Sequence, residues 1–233
     1  MSIQDLRARR HRKTVRHLTK RTLLRLRDIA NLIRHGPDAP RYAELIWVRP
    51  QDVQRVVFPR SRLIRMRCSG HVEDIRKSYR IRDLYGMPQY QSSVEHWVHG
   101  TPWEDTKDYR EALESIRQGR FNVGCMNEQE LSRRFLELDY LFDRVKQAGR
   151  LKTRQELDPG AFREEGGILV CLGRNAEPLL LEGYHRLSIA VILGLPLIPA
   201  QLGCVDSTAL DALTRYRSPA REVQPWRRLP TSD

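Results

Sequence analysis

The 35 residues from Ile168 to Leu202, ILVCLGRNAEPLLLEGYHRLSIAVILGLPLIPAQL, constrain this chain more than any other stretch. Two short apolar runs are separated by Gly173-Arg174-Asn175, a turn signal. A third apolar run follows Pro196. Between the second and third lies Gly183, then Leu187, Ile189, Ala190 and Val191 at spacings that suit a short buried helix. The stretch reads as strand, turn, strand, tight glycine loop, helix, closing strand. The loop Glu182-Gly183-Tyr184-His185-Arg186 stands where strand becomes helix. A helix start has unpaired backbone N–H groups and the positive end of the helix dipole. Gly183 permits close backbone approach, and His185 and Arg186 add donors. Residue by residue, that is an anion site. The competing reading has His185 and Arg186 bonding to nearby backbone or to a carboxylate such as Glu182, and so fixing the corner.

The charge is uneven. The whole chain carries +12, yet residues 1–41 hold 12 Lys and Arg against 3 Asp and Glu. The basic character belongs to an N-terminal arm, residues 1–36, and not to the domain behind it. Val15, Leu18, Thr22, Leu26, Ile29 and Ile33 recur at helical spacing, with Arg16, Lys20, Arg21, Arg25 and Arg27 opposite. Three readings stand open for this helix: its apolar face docks on the chain's own core, or it lies on an anionic membrane surface, or it meets nucleic acid or an acidic partner.

A Gly/Pro segment, 36–41, marks a boundary. The main domain is expected over 42–217, and a Pro- and Arg-rich tail over 218–233. Leu45 to Val48 and Val56 to Phe58 read as strands flanking a turn at Pro50-Gln51-Asp52. Arginines alternate with apolar residues from Arg60 to Arg67, as on one exposed strand face. Thr101-Pro102-Trp103-Glu104 suggests a helix start with Thr101 as cap, running to Arg117 and stopping at Gly119. Trp103, Glu104 and Asp105 are candidates to line a site. Asn127 with Glu130 starts a second helix, with Leu131, Phe135, Leu138, Leu141, Phe142 and Val145 on one face and a stop at Gly149. Residues 150–166 read as a polar connector, with Glu164-Glu165 before a Gly-Gly turn. Asp206 caps a last helix.

No apolar run is long enough to span a bilayer, which takes about 20 residues. Cys68, Cys125, Cys171 and Cys204 stand far apart, as reduced, buried thiols of a cytoplasmic protein do. His96 and His99 could share a helical face, but no cysteine or histidine cluster has metal-ligand spacing, so no metal ligands are assigned.

Gly183-Tyr184-His185-Arg186, with Leu187 to Ala190, Leu193-Gly194-Leu195 and Ile198-Pro199-Ala200, resembles the ParB/sulfiredoxin superfamily. Ile46 to Val53 is similar to its first strand and turn. Gly100 to Thr106 resembles a motif of a prokaryotic ParB-like branch. The resemblance implies an α+β fold, a small mixed sheet with flanking helices. It also implies a nucleoside triphosphate or other phosphorylated ligand held by the Gly183–Tyr184 backbone and the Arg186 side chain, with Mg²⁺ in some members. His185 would contact a phosphate or act as acid/base, with Glu104, Asp105 or Glu182 supplying a carboxylate for phosphoryl transfer or nucleotide hydrolysis. Tyr184 departs from both relatives. Sulfiredoxins have a reactive Cys there, so sulfinic acid reduction lacks its nucleophile. ParB proteins have a Glu there, and Tyr is a poor ligand for a hard cation. The alternatives are a DNA-associated protein or nuclease that uses the basic arm, and a membrane-peripheral scaffold without catalysis.

Overall fold

Strands buried on both faces cannot alternate apolar with polar residues, and the Ile168–Leu202 unit does not. In a computed structural model, which describes residues 21–61, 68–120 and 124–219, it supplies the centre of the sheet. β5 (Leu169–Leu172), β6 (Pro178–Glu182) and β7 (Ile198–Asp206) are buried almost throughout. β1 (Leu45–Val48), β2 (Arg55–Pro59), β3 (Val72–Glu73) and β4 (Tyr79–Asp83) complete a seven-stranded sheet among the described residues. Its order is β1-β7-β5-β6-β2-β4, with β3 also on β7. β7 runs parallel to β5, and β6 parallel to β2; β1, β6 and β4 are antiparallel to β7, β5 and β2 respectively. The fold is mixed α/β around an open mixed sheet, larger than the small sheet expected.

The pleat sends alternate side chains to opposite faces. Val170, Leu172, Leu180, Ile198, Ala200 and Leu202 enter the larger core with Ile46, Val56, Leu187 and Ile189. Leu169, Cys171, Leu179, Leu181 and Cys204 enter a second core with Val57, Cys68, Ile75 and Tyr79. A third cluster joins Trp103, Tyr109, Ile116, Leu131 and Phe135 between two helices.

Those helices follow local signals closely. Residues 21–35 form α1; then come one-turn α2 (Ile75–Ser78), α3 (Pro88–Trp97), α4 (Lys107–Arg117), α5 (Glu128–Ala148), one-turn α6 (Arg154–Leu157) and α7 (Tyr184–Ile192). Asn127 accepts from the Glu130 amide, Glu130 accepts from the Met126 amide, and Gly149 closes α5 at φ +65°. Asp206 caps a 3-10 helix, Ser207–Tyr216, where an ordinary last helix was expected. The start expected at Thr101 is displaced. Trp103–Asp105 forms a 3-10 turn, and α4 begins only after Thr106, whose hydroxyl donates back to the Trp103 carbonyl.

The apolar stripe of α1 does not dock on the core. Arg27 donates to the Ser69 carbonyl and reaches His71; Asn31 donates to the Pro40 and Gly70 carbonyls; Asp28 accepts from the Tyr42 amide and pairs with Arg163. Polar side chains hold the helix because the facing loops present backbone groups that need partners. Leu26, Ile29 and Ile33 point outward. Lengths of the expected arm before residue 21, the alternating stretch over 62–67 and the tail from 220 lie outside the described residues. The Gly/Pro segment expected as a boundary buries Ala39 and Pro40, and Arg217 donates to the Asp38 and Ala39 carbonyls.

All four cysteines are buried, and none is in a disulfide. Burial pushes the Cys68 thiol up to about 12 and raises Cys125, while the hydrogen bond to Cys204, with burial, raises Cys171. A thiol-specific reagent at neutral pH is expected to label none of the four rapidly in the native protein and all four in denaturant. Rapid native labelling of any one would contradict this burial. No helix among the described residues is long and apolar enough to cross a membrane.

Candidate functional site

Gly183 lies at φ +97° at the head of α7, with Ile168 Cα 3.1 Å from where a Cβ would stand. Any other residue there would be strained in the backbone and pressed against β5. This tight passage points the first turn of α7 back between β5 and the helical layer. The Leu187 amide donates to the Gly183 carbonyl, and Ser188 to the Tyr184 carbonyl. Tyr184 packs against the larger core. Glu182 closes β6, half-buried, and its charge acts on Arg186, whose terminal nitrogens donate to backbone carbonyls.

His185 and Arg186 part ways from here. His185 turns inward, buried, with Nε2 3.0 Å from Asp108 Oδ2. Trp103 and Phe135 meet the imidazole edge to face, at 6.3 and 5.7 Å between centroids. Asp108 is also buried; its Oδ1 accepts from Gln89, and its amide donates to Ser92. The carboxylate that meets His185 is therefore Asp108 and not Glu104, Asp105 or Glu182. Glu104 and Asp105 are exposed on the 3-10 turn, because the helix that would have turned them inward starts five residues later than expected. The His185–Asp108 pair ties the start of α4 to the start of α7, a positioning contact.

Trp103 belongs to the wall behind this pair. Asp139 Oδ1 accepts from Trp97 Nε1 and Trp103 Nε1 and meets His96 Nε2, each at 3.0 Å. His96 stacks on Trp103 at 4.1 Å between centroids. One carboxylate thus satisfies two indoles and contacts an imidazole, joining α3, the 3-10 turn and α5. Asp139→Ala leaves those donors without it and is expected to cost about 2 kcal/mol. Asp143→Ala, exposed on the same helix, is expected to stay within about 0.5 kcal/mol. Chemical denaturation of the two variants checks the contrast.

Arg186 turns the other way. Its two terminal nitrogens donate to the Gly166 and Gly167 carbonyls, each at 3.1 Å, so the guanidinium both fixes the corner and faces a cavity. That cavity measures about 400 Å³ and is lined by the end of α5, the connector up to Ile168, Arg186 of α7 and Pro199 of β7. Arg144, Arg150, Lys152, Arg154 and Arg186 line it, against one carboxylate, Glu164. Arg150 is paired with Glu156 at 2.7 Å. Arg154 Nε is buried without a hydrogen-bond partner. Burial lowers the Arg186 pKa, and the neighbouring Arg154 charge lowers it further, partly offset by Glu164. Burial raises the Glu164 pKa, opposed by the Arg154 amide that donates to its Oε2 and by the Arg154 and Arg186 charges.

No known protein family, curated protein or solved structure matches this chain. Its function has to be argued from the cavity itself. Among the described residues, no group of three or more His, Cys, Asp or Glu is arranged to hold a metal ion. His185, Trp103, Glu104 and Asp105 do not line the cavity; of the residues expected to bind a ligand, only Arg186 does. Arg144, Lys152, Arg154 and Glu164 were not singled out from the sequence. A signal existed: residues 144–154, RVKQAGRLKTR, hold five Lys and Arg and no acid. It is easily taken for ordinary charge placement, since cations at a helix C-terminus are favoured by its dipole.

Proposed function

We propose that this chain binds a nucleotide or another phosphorylated ligand, with its phosphate held between Arg154 and Arg186. The observation that carries the reading is the buried, unpartnered Arg154 Nε beside Arg186 in a cavity where cations outnumber carboxylates. A buried donor without a partner costs free energy, and buried like charges repel. An anion supplies both the acceptor and the countercharge. The cavity volume falls in the range of small-molecule sites. The resemblance of the Gly183–Arg186 loop to the ParB/sulfiredoxin pattern supports the same ligand class, with Arg186 as the shared phosphate contact. Binding is favoured over turnover, because His185 is engaged with Asp108 and the expected carboxylates lie away from the cavity.

A thermal-shift panel of nucleotides, pyrophosphate and phosphorylated sugars, with and without Mg²⁺, tests this. A true ligand at a hundred times its dissociation constant stabilises by about 2.7 kcal/mol. No shift with any compound, or a shift that survives in both Arg154→Ala and Arg186→Ala, would sink the reading.

A further inference from the structure

The outward face of α1 is apolar along its middle and basic along its edges. Leu26, Ile29 and Ile33 are 57%, 52% and 81% exposed, and Ala30 lies exposed among them. Arg25 and Arg34 flank the stripe, one on each side by helical phase. The inward face holds the polar anchors Arg27, Asp28 and Asn31, so the helix is fixed with its apolar side out. A solitary exposed leucine needs no explanation, but a contiguous stripe over two turns does.

We propose that α1 docks the protein on an anionic lipid surface, with the stripe at the headgroup boundary and the arginines on lipid phosphates. Charge decides among occupants. The outward face has no carboxylate, since Asp28 is turned inward onto the Tyr42 amide and Arg163. Two copies packed through this face would set Arg25 and Arg34 against the same charges with no acid between them. A nucleic acid would use the arginines and leave the stripe in water. An anionic bilayer satisfies both parts, and it accepts a convex helix face without a shaped groove. The sequence before residue 21 adds seven Lys and Arg against one Asp, the polybasic second signal that a short apolar contact needs. Leu23 and Leu32, 62% and 48% exposed, widen the contact at the margins. The proposal is independent of the cavity and stands or falls apart from it.

The test is flotation of the full chain with phosphatidylcholine vesicles, and with vesicles containing about one third phosphatidylserine. The wild type is expected to float with the anionic vesicles and to stay behind with the neutral ones. Leu26→Glu with Ile33→Glu is expected to lower the bound fraction by about tenfold or more, with unchanged circular dichroism and melting. Arg25→Gln with Arg34→Gln is expected to weaken binding in the same direction. The proposal is overturned if the wild type does not float with anionic vesicles, or if the glutamate variant floats as well as the wild type. It is also overturned if sedimentation velocity finds a wild-type dimer that the glutamate variant dissociates, because the stripe then belongs to a second copy.

Discussion

Gly183→Ala is expected to destabilise the protein by about 2–4 kcal/mol, adding the left-handed backbone penalty to an overpacked contact. The added Cβ would stand 3.1 Å from Ile168 Cα and 3.3 Å from two Ile168 side-chain carbons. Ile168 precedes β5 at the centre of the sheet, so relief would require a central strand to move. Gly119→Ala separates the two causes. Gly119 lies at φ +72° after α4 with nothing within 4 Å of the missing Cβ. It should lose only the backbone term, about 1 kcal/mol. Thermal melts then order the variants: Gly183→Ala falls by about 4–16 °C, and Gly119→Ala by a few degrees. Equal losses would mean that the close approach to Ile168 contributes nothing.

Arg154→Ala is expected to weaken a phosphorylated ligand by about 10- to 100-fold, the effect of deleting a charge-assisted hydrogen bond in a sheltered site. The side chain's Nε has no partner within the protein to lose, so the loss of stability should be confined to the neighbouring charge that buried Glu164 gives up. Arg186→Ala should weaken the ligand similarly and also lower the melting temperature, since Arg186 holds the Gly166 and Gly167 carbonyls. Glu164→Gln should move affinity the other way. It removes the one negative charge of the cavity while an amide oxygen can still accept from the Arg154 amide, and a gain of about 3- to 10-fold is expected. The opposed signs are the discriminating feature. Surface-charge attraction would respond weakly to each variant and fade together with added salt.

What was legible in the sequence was local. The limits of α5 followed from Asn127, Glu130 and Gly149, because capping chemistry acts within a few residues. The order of elements from β5 to β7 followed from the apolar runs and from Gly183, whose conformation only a glycine adopts easily. The orientation of α1 was not legible. A 3.6-residue period establishes that a helix has an apolar stripe, but which side docks depends on loop carbonyls at Pro40, Ser69 and Gly70. Asp108 was missed for a similar reason. Its partner His185 is 77 positions away, and the register of α4 that turns it inward depends on the 3-10 turn at Trp103. Asp139 looks like one more charge on the polar face of a long helix until Trp97 and Trp103 converge on it. At the candidate site Gly183, His185 and Arg186 were all singled out, yet only Arg186 reaches the cavity. The rest of its lining comes from a connector with no distinctive motif, brought there by β5 and α5.

The ligand reading stands or falls on where an anion sits. Crystals of the wild-type protein soaked in tungstate, a phosphate analogue with a strong anomalous signal, locate it directly. Anomalous density is expected inside the cavity, within hydrogen-bond reach of Arg154 Nε and the Arg186 guanidinium, and is expected to be lost in Arg154→Ala. Tungstate found only on exposed surface arginines, with the cavity empty, would contradict it.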